Sequence, residues 1–333
     1  MATIGESFVD LIDIYKRSDG NRQIASIIEL LTETNPILKD ALAVECNNGT
    51  KHRTTVRTGL PSVTWGKLYG GIPNSKSTTA QVEDTTGFLE ALSTVDERLL
   101  ELSPNEAATR LSEATAFLEA LNQEMASTLF YGDVTSTPEK FTGLAPRFSS
   151  TSAANGDQIV DGGGSGSDNT SIWIVTWGER FTNLIYPQGT AAGLQREDKG
   201  SQRVLDASGN GYYVKEELFR WHCGLSVRDW RNVVRISNID VSDLAAGSVD
   251  IYALLRKGFW RMQQHRVSGG KTCIYANADV CEALDADSTP TTGTSASYVR
   301  LRPDEVDGKE VMMYRGMPVR QTDALLNTEA QVT

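Results

Sequence analysis

Gly49-Thr50-Lys51-His52-Arg53-Thr54-Thr55-Val56-Arg57-Thr58-Gly59-Leu60-Pro61 is the run on which the reading of this chain turns. Its β-branched residues mark a strand, and Val63-Thr64-Trp65 repeats the pattern after Pro61. Gly66, Gly70-Gly71 and Pro73 punctuate the next ten residues or so. Large apolar side chains are too few here to form a core, yet the segment is too rich in β-formers for a plain linker. A strand of ~15 residues at ~3.3 Å each spans ~50 Å, whereas a compact body of this length has a radius of gyration near ~20 Å. Paired as one hairpin, the segment must project beyond the body, as an arm that lies on a neighbour.

Charge supports the same reading. Between Cys46 and Val82 stand Lys51, Arg53, Arg57, Lys67 and Lys76 with no Asp or Glu, so this stretch carries +5. The whole chain carries −11, which leaves −16 for the remainder. An acidic protein is repelled by nucleic acid phosphates unless a local patch reverses the sign. Trp65 and Tyr69 among these cations suggest a single-strand clamp, but five charges over so long a stretch are sparse. The acidic remainder of neighbouring copies complements them without a further partner. Lys51, Arg53, Arg57, Trp65, Lys67 and Lys76 are therefore the expected inter-subunit contacts.

Upstream, Thr3-Ile4-Gly5-Glu6 reads as a capping box before Phe8, Leu11, Ile12 and Tyr15 at helical spacing. Ser18-Asp19-Gly20 ends that helix, and a second carries Ile24, Ile27, Ile28 and Leu31 up to Asn35-Pro36. Such single stripes need a covering surface, either the edge of the chain's own core or another subunit.

Downstream, Ser103-Pro104-Asn105-Glu106 predicts a capped helix start, with Ser103 as the cap. Ala107, Leu111, Ala114, Leu118, Leu121, Met125 and Leu129 follow at spacings of four and three, and Gly132 supplies the stop. A helix of this length would run ~40 Å. Leu111, Leu118, Leu121 and Met125 are its expected core residues, and Glu106 and Arg110 an expected i,i+4 pair on its solvent side. Residues 161–168, rich in glycine, read as a mobile surface loop that tolerates loss of Gly163 and Gly164. Tyr212 to Ile239 reads mostly as strand, with Phe219, Trp221, Cys223, Leu225 and Val227 on one face, then Val233-Val234-Arg235-Ile236. Ser248 is the expected cap of a helix through Ile251, Leu254, Leu255 and Met262. Cys273-Ile274-Tyr275-Ala276 predicts a buried strand, and Asn277 the cap of a short helix. Val311-Met312-Met313-Tyr314 and Met317-Pro318-Val319-Arg320 predict closing strands. Helices and strands interleave without βαβ alternation, so the class is α+β.

Catalytic and metal chemistry find no frame. His52, His222 and His265 are the three histidines, and none stands in an H-E-x-x-H arrangement. Neither a G-x-S-x-G elbow nor a Walker motif occurs. Gly163-Gly164-Ser165-Gly166-Ser167-Asp168 matches the opening of a calcium-binding nonapeptide, but that motif works in tandem and appears once. Cys46, Cys223, Cys273 and Cys281 form no C-x-x-C pair and read as reduced thiols. No stretch approaches the ~20 apolar residues of a membrane helix, and the N-terminus predicts no secretion signal. No enzyme activity, cofactor, metal or membrane contact is expected.

Gln23-Ile24-Ala25-Ser26-Ile27-Ile28-Glu29, Glu45-Cys46-Asn47, the basic run from Gly49 to Pro61 and Ile72-Pro73-Asn74-Ser75-Lys76-Ser77-Thr78 carry a resemblance. Together they resemble the major capsid proteins of tailed bacteriophages, in the short-tailed branch of Salmonella phage epsilon-fifteen and the tropism-switching Bordetella phage. The resemblance implies the Johnson fold, named after the Hong Kong phage capsid. It makes residues 1–46 the N-terminal arm, 47–90 the E-loop and 91–150 the peripheral domain with its spine helix. Residues 151–210 would belong to the axial domain or its loops, 211–247 to peripheral strands, 248–310 to the axial domain and 311–333 to a closing strand. It further implies hexamers and pentamers in an icosahedral shell around double-stranded DNA held without sequence-specific contacts. Separate scaffolding, portal and cement proteins follow as partners, the scaffold because no long extra segment precedes the arm. The virion is the implied location, after assembly in the bacterial cytoplasm. The Lys–Asn cross-link of some members has no residue-by-residue match at Lys67 or Lys76 and is not carried over. An encapsulin-like compartment shell is the alternative within this fold.

Overall fold

The computed structural model describes residues 33–333 apart from 104, 207, 263–268, 289–301 and 307–308. The two helices expected upstream of Asn35 fall outside the described residues, as does His265.

In chain order, a short helix α1 (Ile37–Asp40) leads to β1 (Ala43–Glu45), then to the long hairpin of β2 (Lys51–Gly59) and β3 (Thr78–Asp96). Helix α2 (Glu97–Leu102) precedes the spine helix α3 (Glu106–Tyr131), and α4 (Leu144–Arg147) follows it. Six strands come next: β4 (Ile159–Asp161), β5 (Asn169–Trp177), β6 (Thr182–Tyr186), β7 (Leu194–Leu205), β8 (Gly211–Val227) and β9 (Val233–Asp240). Helices α5 (Val241–Ala245) and α6 (Ile251–Arg261), strand β10 (Lys271–Ala276) and helix α7 (Ala278–Ser288) lead to β11 (Arg302–Val306), β12 (Lys309–Tyr314) and β13 (Met317–Gln321).

The strands join into one 13-stranded network whose main path runs β11-β12-β13-β10-β5-β6-β8-β3-β2. Strand β5 sits at its centre and is buried along its whole length, and the unbroken apolar run Ile172-Trp173-Ile174-Val175 at its middle suits a strand covered on both faces. Its side chains alternate between two cores. Trp173, Val175 and Trp177 enter one with Met125, Leu129 and Phe130 of the spine helix. Ile172 and Ile174 enter the other with Leu254 and Leu255 of α6 and Val280 and Leu284 of α7. Strand β10 divides in the same way, Cys273 and Tyr275 to the first core and Ile274 and Ala276 to the second.

The spine helix has 26 residues, or ~39 Å at ~1.5 Å per residue. Its cap is Asn105, whose side chain accepts from the Ala108 N–H at 3.2 Å, and not Ser103. Leu121 and Met125 are buried as expected, with Ala114 and Leu129. Leu111 and Leu118 are not core residues of the subunit: they are 59% and 37% exposed. The sheet covers only one flank of the apolar stripe, where Phe219 of β8 packs beside Ala114 and Leu121. Nor do Glu106 and Arg110 pair. Arg110 reaches across to Glu217 at 2.6 Å and Asp198 at 2.9 Å, and Glu106 takes Lys215 at 2.5 Å. Leu121→Ala is expected to cost ~2–5 kcal/mol, and the same change at Leu118 less, an order that urea melts of the two variants would check.

Two other local expectations need correction. The cap of α6 is Asp250, which accepts from Ala253 N–H at 2.8 Å, rather than Ser248. The glycine-rich segment is docked rather than mobile. Gly162 and Gly164 donate to the carbonyls of Ser237 and Asn238, both at 2.8 Å. A Cβ at Gly164 would stand 2.7 Å from the Asn238 carbonyl oxygen, so this close approach needs glycine. Deleting Gly163 and Gly164 would remove the second of these two bonds. Asp168, the carboxylate of the calcium reading, instead accepts from the Ser242 hydroxyl and from its N–H at the start of α5.

Candidate assembly interface

The basic run forms the arm that its pattern predicts. Strand β2 pairs antiparallel with β3 from Lys51↔Thr85 to Gly59↔Thr78, with a register slip after Arg57. Residues 60–77 make the tip, where a turn closes with Gly70 N–H donating to Lys67 O at 3.1 Å while Tyr69 takes φ 62°. Leu60, Val63, Trp65, Leu68, Tyr69 and Ile72 all stand in solvent there, Trp65 at 99% exposure. A cluster of large apolar side chains on an outlying loop marks a surface for contact.

The six expected contact residues divide. Lys51 and Arg53 are already engaged within the hairpin, 3.7 Å and 2.5 Å from Glu83, the cross-strand partner of Arg53. The Arg53 hydrogen bond holds the Glu83 carboxyl below its ordinary pKa. Glu83 lies one residue beyond the acid-free stretch, so counting that stretch overstated its free charge. Arg57, Lys67 and Lys76 are exposed together with Trp65, and none of the three cations has an ion pair among the described residues.

At its base the arm is held by buried polar groups that sequence reasoning missed. His52 and Asp84 are opposite each other on one rung of the hairpin, and each is 4% exposed. Asp84 meets the Arg147 guanidinium at 2.8 Å, and Arg147 also donates to Leu225 O at 3.0 Å and Thr142 O at 3.2 Å. His52 Nε2 lies 2.7 Å from Arg228 Nη2. A guanidinium can only donate, so the imidazole accepts there and is neutral. Burial first, then the Arg228 charge, holds its pKa below the ordinary histidine value, with Asp84 opposing. The only sequence signal was a histidine inside a strand of exposed polar residues.

A family profile for major capsid protein GP7 matches residues 19–333. The chain belongs to that family. The capsid protein is also similar to the structure of bacteriophage epsilon15, at 35% identity over 100% of both chains with a TM-score of 0.79. Its fold is accordingly the Johnson capsid fold, and its role is that of a capsid shell subunit. The capsid of a native GTA particle aligns at 12% identity over 65% of this chain and 92% of that one, with a TM-score of 0.43. The SrpI encapsulin complex of Synechococcus elongatus aligns at 10% identity over 70% and 96%, with a TM-score of 0.44. Scores this low add nothing to the assignment. No curated protein sequence matches the chain.

Behind the interface, the capsid protein's own body is tied together by a buried ion pair. Arg235 of β9 meets Glu329 at 2.7 Å, with their side chains 5% and 4% exposed. Arg235 also donates to Phe148 O at 2.8 Å and to Ser171 Oγ at 3.1 Å, and Tyr131 donates to the other Glu329 oxygen at 2.5 Å. The end of the spine helix, the central sheet and the C-terminal segment meet at this one carboxylate. All four cysteines are unbridged. Burial pushes the thiols of Cys46 and Cys281 up to about 11 and those of Cys223 and Cys273 up to about 12, so they stay protonated and unreactive near neutral pH. Among the described residues no helix is long and apolar enough to cross a membrane.

Proposed function

We propose that the capsid protein forms hexamers and pentamers, through an arm laid on adjacent copies, and that these close an icosahedral shell around double-stranded DNA. The observation that carries this reading is the exposed tip. Six large apolar side chains sit at the end of a hairpin whose base is fixed, and burying each fully on a neighbour is worth ~1.5–3 kcal/mol. Arg57, Lys67 and Lys76 add steering toward the acidic body of the next copy, where single surface pairs contribute only ~0–1 kcal/mol. Lys51 and Arg53 then act mainly within the hairpin, through Glu83.

The resemblance extends the reading. Residues 1–46 serve as N-terminal arm, 47–90 as E-loop, 91–150, 211–247 and 311–333 as peripheral domain, and 151–210 and 248–310 as axial domain. The subunit catalyses nothing and holds DNA without reading its sequence. Scaffolding, portal and cement proteins are separate partners, and assembly takes place in the bacterial cytoplasm. Trp65→Asp combined with Arg57→Glu is the direct test. The variant is expected to keep the far-ultraviolet spectrum and melting curve of the parent subunit but to yield no shells by electron microscopy. Shells of normal size and number from that variant would refute the role given to the arm.

A further inference from the structure

The hairpin leaves the body at a definite place. Strand β3 pairs with β8 up to Thr86↔Gly224, and two residues further on comes the His52↔Asp84 rung. That rung is buried, while Lys51, Arg53, Glu83 and Thr85 on either side of it are exposed. Glycines allow the crossing to be this tight. A Cβ on Gly224 would stand 2.7 Å from the Thr85 carbonyl oxygen, and one on Gly87 would stand 2.9 Å from that of Glu139.

A projecting rod held at one point can still turn. Held at two separated points, its direction is set. The rung supplies two such points, one on each strand. Asp84 on β3 is gripped by Arg147, and His52 on β2 by Arg228. Arg147 faces three acceptors on three elements: the Asp84 carboxylate, the Thr142 carbonyl after the spine helix and the Leu225 carbonyl on β8. A planar guanidinium can serve all three at once, which the single ammonium of lysine cannot do in the same geometry. The main chain at Arg228 is held in place, because its backbone N–H donates to Phe181 O at 2.8 Å.

We infer that Arg147 and Arg228 are the positioning residues of the arm, a two-point polar clamp that aims the hairpin by gripping the Asp84–His52 rung. No apolar cluster among the described residues includes a side chain of β2. Beyond the unbroken run of β3 and the Thr50 carbonyl, which accepts from the Thr86 N–H and hydroxyl, the aim of the arm depends on these contacts, and it can be altered while both cores stay intact. The clamp would explain how the arm proposed above meets a neighbour in one orientation, but it is a property of the single subunit and stands or falls without that reading.

Spin labels on the full-length subunit test it, placed at Ser62→Cys on the tip and Leu205→Cys on the body. Both sites are exposed, and the native thiols are buried or half-buried. The parent is expected to give a narrow tip-to-body distance distribution. Arg147→Lys, which keeps the charge, is expected to shift and widen it with little change in the melting temperature, and Arg228→Lys to do so more weakly. Asp84→Asn should behave like Arg147→Lys. Should Asp84→Asn fail to fold, the two lysine variants decide the matter. An unchanged narrow distribution in folded Arg147→Lys and Arg228→Lys overturns the clamp. An equally broad distribution in the parent overturns it as well. A loss of shells by any of these variants without a change in the distribution would place their effect elsewhere in assembly, and the clamp would again be wrong.

Discussion

Arg235→Ala is expected to destabilise the isolated subunit by ~3–5 kcal/mol, because it leaves the Glu329 carboxylate buried without its cation. Three neighbours share the damage. Ser171 and Tyr131 donate to the same carboxylate, and the Phe148 carbonyl loses its donor. Arg235 also lies over the Trp173 ring, 5.2 Å from its centroid, so its removal opens space beside one of the two buried tryptophans of the first core. Glu329→Gln should cost less than Arg235→Ala, because it removes a charge but keeps an acceptor. Chemical denaturation of the two variants beside the parent would read both values. Equal stability for Arg235→Ala and the parent would mean that the pair is dispensable and that the C-terminal segment is held by its other contacts.

Phe130→Ala is expected to cost ~3–5 kcal/mol. Phe130 is fully buried at the C-terminal end of the spine helix. Its ring lies 6.4 Å from that of Trp173 and 6.3 Å from that of Tyr275, the latter edge to face. Edge-to-face aromatic pairs add ~0.5–1.5 kcal/mol beyond their area, and the surrounding rings are too stiff to collapse into the space left behind. Soluble expression should fall at growth temperature and recover on cooling the culture. A melting temperature within a degree or two of the parent would show that the site relaxes freely, against a core of interlocked rings.

How far these features could be read beforehand differs from element to element. Alternation and β-branching in the basic run predicted the hairpin, because a projecting arm that builds no core of its own follows local pattern alone. The closing strands and the Asn277 cap were equally local, and the cap is seen, with Asn277 Oδ1 accepting from Val280 N–H at 3.0 Å. The spine helix was legible in extent but not in orientation. Leu111, Leu118, Leu121 and Met125 lie along one stripe, and which flank the sheet takes depends on strands far away in the chain. The glycine-rich segment misled for a related reason. Composition shows that glycines bury little side chain but says nothing of where their N–H groups go, and here they lace onto β9. At the base of the arm, Asp84 and Arg147 are 63 residues apart in number, and Arg235 and Glu329 are separated by 94. No spacing rule reaches across such distances. Fold class and arm follow from local chemistry, whereas the buried polar pairs that fix them are tertiary facts.

Strand β5 belongs to both cores at once, and this governs how the subunit can come apart. A body divided into two separately packed halves could lose one and keep the other, giving a half-melted species with sticky surface. Here Trp173 and Ile174 are adjacent on one strand and serve opposite cores. Neither core can open without exposing the wall of the other. Calorimetry of the isolated subunit is therefore expected to show one cooperative transition, with equal calorimetric and van't Hoff enthalpies. For a part used in many identical copies, all-or-none melting is a form of quality control: a damaged subunit leaves the pool entirely and cannot enter a growing lattice half-formed.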